Sequence, residues 1–374
     1  MINKKKRVYA DHAATTPLCD AAWDAMIPFF REEFGNPSSL HSWAKIPREA
    51  IWAARETIAQ CIGAESPDEI FFTSGGTESD NWVIKGSDGD LMVSSYEHHA
   101  ILNAAANEAS AGRSVAYVKP KMGGYVVKDK ITAAWHEGIK LVSIMAANNE
   151  IGTRNILKDL ADHVHGKGAL FHTDAVQALG HVPIDVREDG IDFLSGSAHK
   201  FNGPRGVGFL YKRKGAELKS LHNGGQQEFG FRAGTENVAG IVGMAAALKW
   251  NCDNMDVHTE HLEKLHDQLI EGIDAFYPNA IYPGSSFGNQ LPGFTCVCFP
   301  GHPAEGVLHL LDLKGIAVSA GAACDTKNTQ VSHVLKAINL PKAYAECTLR
   351  ISLGFENTEQ DVATIVSALK QVLR

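Results

Sequence analysis

The run Ile191-Asp-Phe-Leu-Ser-Gly-Ser-Ala-His-Lys200, continuing into Phe201-Asn-Gly-Pro-Arg-Gly206, places a lysine just past an apolar segment. Residues 191–195 have the length and the apolar start of a buried strand. Small residues and a histidine flank the lysine, so its amine is poorly placed for solvation and well suited to forming an imine with an aldehyde. Alone, Ser-x-His-Lys would describe an ordinary lysine capping a strand. Upstream, however, Phe171-His-Thr-Asp174-Ala-Val-Gln177 closes another apolar run with a carboxylate that can pair with a protonated pyridine nitrogen. Lys200 is therefore read as a Schiff-base lysine, with Asp174 as its companion.

Other apolar runs end in the same manner. Glu69-Ile-Phe-Phe-Thr73 leads into Ser74-Gly-Gly-Thr77-Glu-Ser-Asp-Asn81, a turn opening a helix. Glycines there let a ligand approach the backbone, and the unpaired N–H groups of a helix start favour an anion such as phosphate. Leu91–Ser95 delivers Glu97-His98-His99, and Leu141–Met145 delivers Asn148-Asn149-Glu150. In an open, mostly parallel α/β sheet, ligands bind beyond the carboxyl ends of the strands, so these ends line one crevice. Helical spacing at Arg48–Cys61 and around Lys158–Lys167 supplies the crossovers that parallel strands require. Pro17 opens a further helix toward Phe30.

The expected fold class is thus α/β, a large domain with a mostly parallel doubly wound sheet. Beyond it, Leu262, Leu265, Leu269, Ile273 and Phe276 mark an amphipathic helix, and Gly293–Phe299 reads as a strand. A helix at Pro303–Leu313 and a strand at Ile316–Ser319 continue the alternation. The expected division is a large domain over 16–254 and a smaller α+β domain formed by 1–15 and 255–374.

With 374 residues and 40.4 kDa, the chain can bury a large core. A hydrophobic share of 44% and a charged share of 21% are those of a globular protein. A net charge of −8 and a pI near 6.1 argue against a nucleic-acid surface, and the basic run Lys4–Arg7 is short. No apolar stretch is long enough to span a bilayer and no signal-peptide pattern follows Met1, so a cytoplasmic location without membrane attachment is expected. The seven cysteines form neither a disulfide framework nor a Cys-x-x-Cys zinc pair, and the seventeen histidines show no metal-ligand spacing. No metal site is expected.

The motifs just quoted, together with Asp11-His-Ala-Ala-Thr-Thr-Pro17, Asn148-Asn-Glu-Ile-Gly152, Arg232-Ala-Gly-Thr-Glu-Asn237 and Arg350-Ile-Ser-Leu-Gly354, closely resemble the cysteine desulfurases of the class V aminotransferase family. The likeness covers nearly the whole chain. It implies the fold-type I architecture and pyridoxal 5′-phosphate as cofactor. It also implies roles: Lys200 as covalent anchor and proton carrier, Asp174 against the pyridine N–H, Gln177 at the ring hydroxyl, and His98 stacked on the ring and moving protons. Gly76, Thr77, Ser197 and His199 would hold the phosphate. Thr235 would reach the phosphate of a neighbouring subunit, which implies a homodimer with shared sites. Asn149 and Arg350 would bind the carboxylate of L-cysteine, and Cys324, in Ser319-Ala-Gly-Ala-Ala-Cys324, would take the sulfur as a persulfide and pass it to an acceptor protein.

The other six cysteines are then small buried hydrophobes. The sequence departs from the family pattern at Ser319–Cys324, where the usual Ser-Ser-Gly-Ser-Ala-Cys reads Ser-Ala-Gly-Ala-Ala-Cys. It reaches Arg374 directly after its last helix, and the resemblance then implies that the extension by which housekeeping members dock an iron–sulfur scaffold is expected to be missing, with sulfur passing either to iron–sulfur assembly or to tRNA thiolation. Alternatives are a selenocysteine lyase or another class V enzyme and, from a different class, a non-catalytic sulfur-relay module.

Overall fold

Strands in the computed structural model, which describes residues 7–284, 289–320 and 331–374, run in chain order as β1 (Val8–Tyr9), β2 (Ile70–Thr73), β3 (Asp90–Ser94), β4 (Val115–Val118), β5 (Ile139–Ser143), β6 (Leu170–Asp174), β7 (Phe193–Ser197), β8 (Gly208–Lys212), β9 (Phe294–Cys298), β10 (Ile316–Ala317) and β11 (Thr348–Ser352). A seven-stranded sheet has the order β2-β8-β7-β6-β5-β3-β4. Strand β8 is antiparallel to both neighbours and the other adjacent pairs are parallel. Both faces are covered, as a largely parallel sheet requires. Met92, Val142, Leu194 and Phe209 enter one apolar core with the helices Lys45–Cys61 and Val238–Asp253. Their strand neighbours Leu91, Leu141, Phe193 and Leu210 enter another, with Trp82, Ile101 and Ala104 of the helices Gly76–Gly86 and His99–Ser110. That alternation is the twofold period of a strand.

The chain steps outward from β3 to β4 and then returns to lay β5 on the other side of β3. Such a reversal opens a crevice beyond the strand ends, where ligands bind in open α/β sheets. A third core is built by Leu265, Leu269 and Ile273 of the helix Met255–Asp274, Val297 and Phe299 of the β9 region, and Ile365 and Leu369 of the helix Glu359–Val372. Val8 and Ala10 from the start of the chain join it. Strand β1 pairs in parallel with β10, β9 pairs antiparallel with β11, and Asp11 bridges to Ser352. The first residues are thereby tied to the last strand.

Several expectations shift. The lysine-bearing strand is 193–197 rather than 191–195, because Gly196 and Ser197 extend the ladder by pairing with Phe209 and Gly208 of β8. Asp192 is held at its entrance by the Phe171 N–H, which donates to Oδ2 at 2.7 Å. The helix expected from Pro17 starts at Asp20 and breaks at Ile27, before Pro28, whose nitrogen has no hydrogen to continue the ladder. Cys19, Cys296, Cys298 and Cys347 are buried as expected, but Cys61 and Cys252 are only half-buried. No helix among the described residues is long and apolar enough to cross a membrane.

Candidate active site

Lys200 closes a short 3₁₀ turn, Ala198–Lys200, that follows β7 without a break. Its Nζ donates to the carbonyls of Ala13 at 2.6 Å and Ala14 at 2.9 Å, and Gln177 Nε2 donates to the same Ala13 oxygen at 2.9 Å. The Asp11–Thr16 segment therefore crosses the ends of β6 and β7. Thr15 Oγ1 lies 3.2 Å from His199 Nδ1, and the Thr16 N–H donates to the His199 carbonyl at 2.9 Å.

Asp174 is the last residue of β6 and is 5% exposed. Its Oδ1 accepts from the Val176 N–H at 2.9 Å. Burial pushes its carboxyl up to about 6, against the opposing pull of that hydrogen bond and of the Lys200 charge. His98 caps the helix His99–Ser110, its Nδ1 accepting from the Ala100 N–H at 3.1 Å, which leaves the ring proton on Nε2. Burial, reinforced by Lys200, His99 and His333, brings His98 down to about 4, so the ring is neutral near pH 7. His199 is likewise brought down to about 4 by burial, Lys200 and Arg205.

These groups face one cavity of about 300 Å³. Gly76, Thr77, Ser197 and His199 form one end of it, and Gly76 is the first residue of the helix Gly76–Gly86. A Cβ at Gly76 would lie 2.6 Å from Val176 Cγ2, so only glycine leaves that end open. Gly75, before it, has φ +151°, which an L side chain rarely adopts. Asn149 and Arg350 line the same cavity. Arg350 is 2% exposed; Nη1 donates to the Asn149 carbonyl and Nη2 to Asp11 Oδ1, both at 2.7 Å. Its Nε has no hydrogen-bond partner among the described residues, an orphaned donor beside the cavity.

The structure thus gathers ten of the expected site residues: Lys200, Asp174, Gln177, His98, Gly76, Thr77, Ser197, His199, Asn149 and Arg350. Thr235 does not line this cavity; it is exposed. Its motif is tied to the glycine turn of its own chain, because Arg232 Nε and Nη2 donate to the two oxygens of Glu78 at 2.8 and 3.2 Å. Cys324 lies outside the described residues.

Further residues join the site. His99, Met145, Glu150 and His333 line the cavity, and their rings and carboxyl extend the wall beyond His98 and Asn149. Asp80 also lines it at 1% exposure, with Oδ1 lacking a hydrogen-bond partner among the described residues, and burial and Asp174 drive its carboxyl well above the usual range. Glu97 is fully buried behind the wall, its Oε1 accepting from Ser94 Oγ and, at 2.9 Å, from the Met145 N–H. Burial pushes it up to about 8. Glu97 is itself one of the strand-end residues, which is the signal that points to it, whereas Asp80 lies in the turn-and-helix stretch Ser74–Asn81 with nothing to mark it as buried.

The residues suit a phosphorylated pyridine aldehyde. An amine, a buried carboxyl beside it, a neutral ring and a glycine-lined helix start occupy one cavity, and Gly76 supplies a cradle that a Cβ would fill.

Comparison with known proteins places this geometry. Residues 8–365 match the family described as Aminotransferase class-V. A cysteine desulfurase IscS of Dictyoglomus turgidum is 43% identical over 376 residues, covering 99% of this chain and 95% of its own. Among solved structures, a NifS-like protein superposes with a TM-score of 0.92 at 36% identity, covering 98% of this chain and 99% of that one. SspA in complex with cysteine superposes with a TM-score of 0.81 at 34% identity, covering 94% of this chain and 100% of that one.

Proposed function

The chain belongs to the aminotransferase class-V family, and from that premise we propose that it is a pyridoxal 5′-phosphate-dependent cysteine desulfurase, releasing L-alanine from L-cysteine and retaining the sulfur as a persulfide on Cys324. The observation that carries this reading is the convergence of the Lys200 amine, the buried Asp174 carboxyl and the Arg350 guanidinium on one cavity. When bound, pyridoxal 5′-phosphate supplies an aldehyde that captures amines and a ring that withdraws electron density from the substrate Cα.

Lys200 Nζ is the covalent anchor and, when free, the base that holds and moves the Cα proton. Asp174 would present its carboxylate to the ring nitrogen, where a positive charge would lower its pKa from about 6 and keep it ionised. Gln177 would meet the ring hydroxyl, and His98 would stack on the ring with Nε2–H available to donate. Gly76, Thr77, Ser197 and His199 bind the phosphate at the helix start. Arg350, backed by Asn149, orients the substrate carboxylate through its remaining donors.

Homodimerisation with Thr235 reaching the neighbouring site accords with two features. Thr235 is exposed rather than turned into its own cavity. Trp23, Phe30, Phe34 and Trp43 are 54 to 65% exposed, an apolar display that suits a subunit contact. A division into a large unit over 16–254 and a small one over 1–15 and 255–374 accords with the separate core around Leu265, Val297 and Ile365. The persulfide would pass to an acceptor protein.

The deciding experiment is alanine formation from L-cysteine by the holoprotein and by Cys324→Ala. The variant is expected to lose it while keeping the visible absorbance of bound cofactor. Full turnover by Cys324→Ala would overturn the sulfur-transfer assignment, and turnover surviving with selenocysteine alone would make the protein a selenocysteine lyase.

A further inference from the structure

Cys61 and Cys252 are the half-buried members of a cysteine set otherwise buried among the described residues. Cys61 ends the helix Lys45–Cys61, and Cys252 stands one residue before the end of the helix Val238–Asp253. These two helices pack on one another. The packing brings the thiols into hydrogen-bonding contact. Both line a cavity of about 350 Å³ that shares no lining residue with the catalytic one. Solvent reagents can reach them there without passing the active site.

The hydrogen bond holds the two sulfurs in contact, so ionisation of either thiol leaves a thiolate beside a second thiol that can resolve it.

We propose that Cys61 and Cys252 form a reversible dithiol–disulfide couple, a modification site for small peroxides distinct from the catalytic cavity. One of the two sulfurs, as thiolate, attacks one oxygen of hydrogen peroxide, the O–O bond breaks, and the departing hydroxide takes up a proton as water. That cysteine is then a sulfenic acid. The second sulfur attacks the first, the S–O bond breaks, and the hydroxide released combines with the proton of the second thiol. Two thiols and one peroxide thus give one disulfide and two waters, each sulfur losing one electron. The bond would pin the ends of the two helices together. Asn251, next to Cys252, donates through Nδ2 to the carbonyl of Phe201 at 2.9 Å, so the clamp bears on the residue that follows Lys200.

The test uses the cofactor-loaded full chain. After one equivalent of hydrogen peroxide, digestion without reductant and peptide mass mapping should give a Cys61–Cys252 cross-linked peptide two hydrogens lighter than the thiol pair, removed by dithiothreitol. In Cys61→Ser or Cys252→Ser the cross-linked peptide should be absent and dimedone should trap a sulfenic acid at the cysteine that remains. Phenylarsine oxide, which bridges close dithiols, should bind this pair in the reduced wild type and be lost in either variant. The proposal is overturned if mapping of the oxidised wild type finds both as free thiols, or if phenylarsine oxide fails to bridge them in the reduced wild type. Both readouts come from the wild type and do not depend on the variants folding.

Discussion

Asp174 and Lys200 stand at the ends of β6 and β7, central strands with ladder partners on both sides, whereas Arg350 stands inside β11, in a ladder of two strands. The first pair owes its position to a sheet packed on both faces, where a shift of one side chain would have to move a dense core. Arg350 is located instead by side-chain and loop contacts, its guanidinium between Asp11 and Asn149 and its backbone exchanging hydrogen bonds with Ser319 at 2.7 and 3.1 Å. With the roles proposed above, the groups that would meet reacting atoms sit on the stiffer wall, and the group that would read the substrate sits where distant stretches of chain meet. The contrast predicts that damage to one wall appears in the chemistry and damage to the other in recognition.

The largest effect should follow Lys200→Ala. Visible absorbance from covalently held cofactor should vanish and alanine formation should fall by more than roughly 10³-fold, the scale of losing a covalent catalytic group. Arg350→Lys keeps one charge but loses the planar fork, so KM for L-cysteine should rise by about 10- to 100-fold, the worth of a charge-assisted hydrogen bond or two, with the cofactor spectrum unchanged. Should Arg350→Lys bleach the protein while leaving KM alone, the division between walls would be wrong.

The smallest effect sharpens the account of the stiff wall. Glu97 titrates near 4.3 in an unfolded chain and at about 8 in the fold. Between those values the folded chain keeps a proton that the unfolded chain has released. Stability contributed by the neutral group is therefore present at low pH and falls as pH rises, by up to about 1.4 kcal/mol per pH unit. Glu97→Gln removes this dependence, so its urea midpoint should decline less than that of the wild type between about pH 5 and 7. Asp174 adds the same sign of slope below about 6 to both proteins and cancels in the comparison. Equal slopes would mean that Glu97 is ionised in the fold.

Much of the stiff wall can be read from sequence because each strand is a short apolar run ending in polar residues. Asp174, His98 and Lys200 all follow that rule. The strand β8 does not, since it returns antiparallel after only a turn, and strand–helix alternation leaves no place for it. Strand β4 lies at the sheet edge with partly exposed residues, and no residue of the catalytic cavity directly follows it, so the strand-end rule passes it over. Contacts such as Lys200 with Ala14, 186 residues apart, leave no local pattern at all. A carboxylate such as Asp80 at the start of a helix ordinarily faces water, and nothing in its neighbours announces burial.

The seat of Arg350 has a bearing on synthesis. Its ligands Asp11 and Asn149 leave the ribosome before the guanidinium they hold, which follows them on β11 by 339 and 201 residues. Until then Asp11 has no Ser352 to bridge and β9 no partner strand. A nascent chain can thus assemble the sheet that carries Lys200 and Asp174 before the seat proposed for the substrate carboxylate exists, and that seat closes only when β11 has followed.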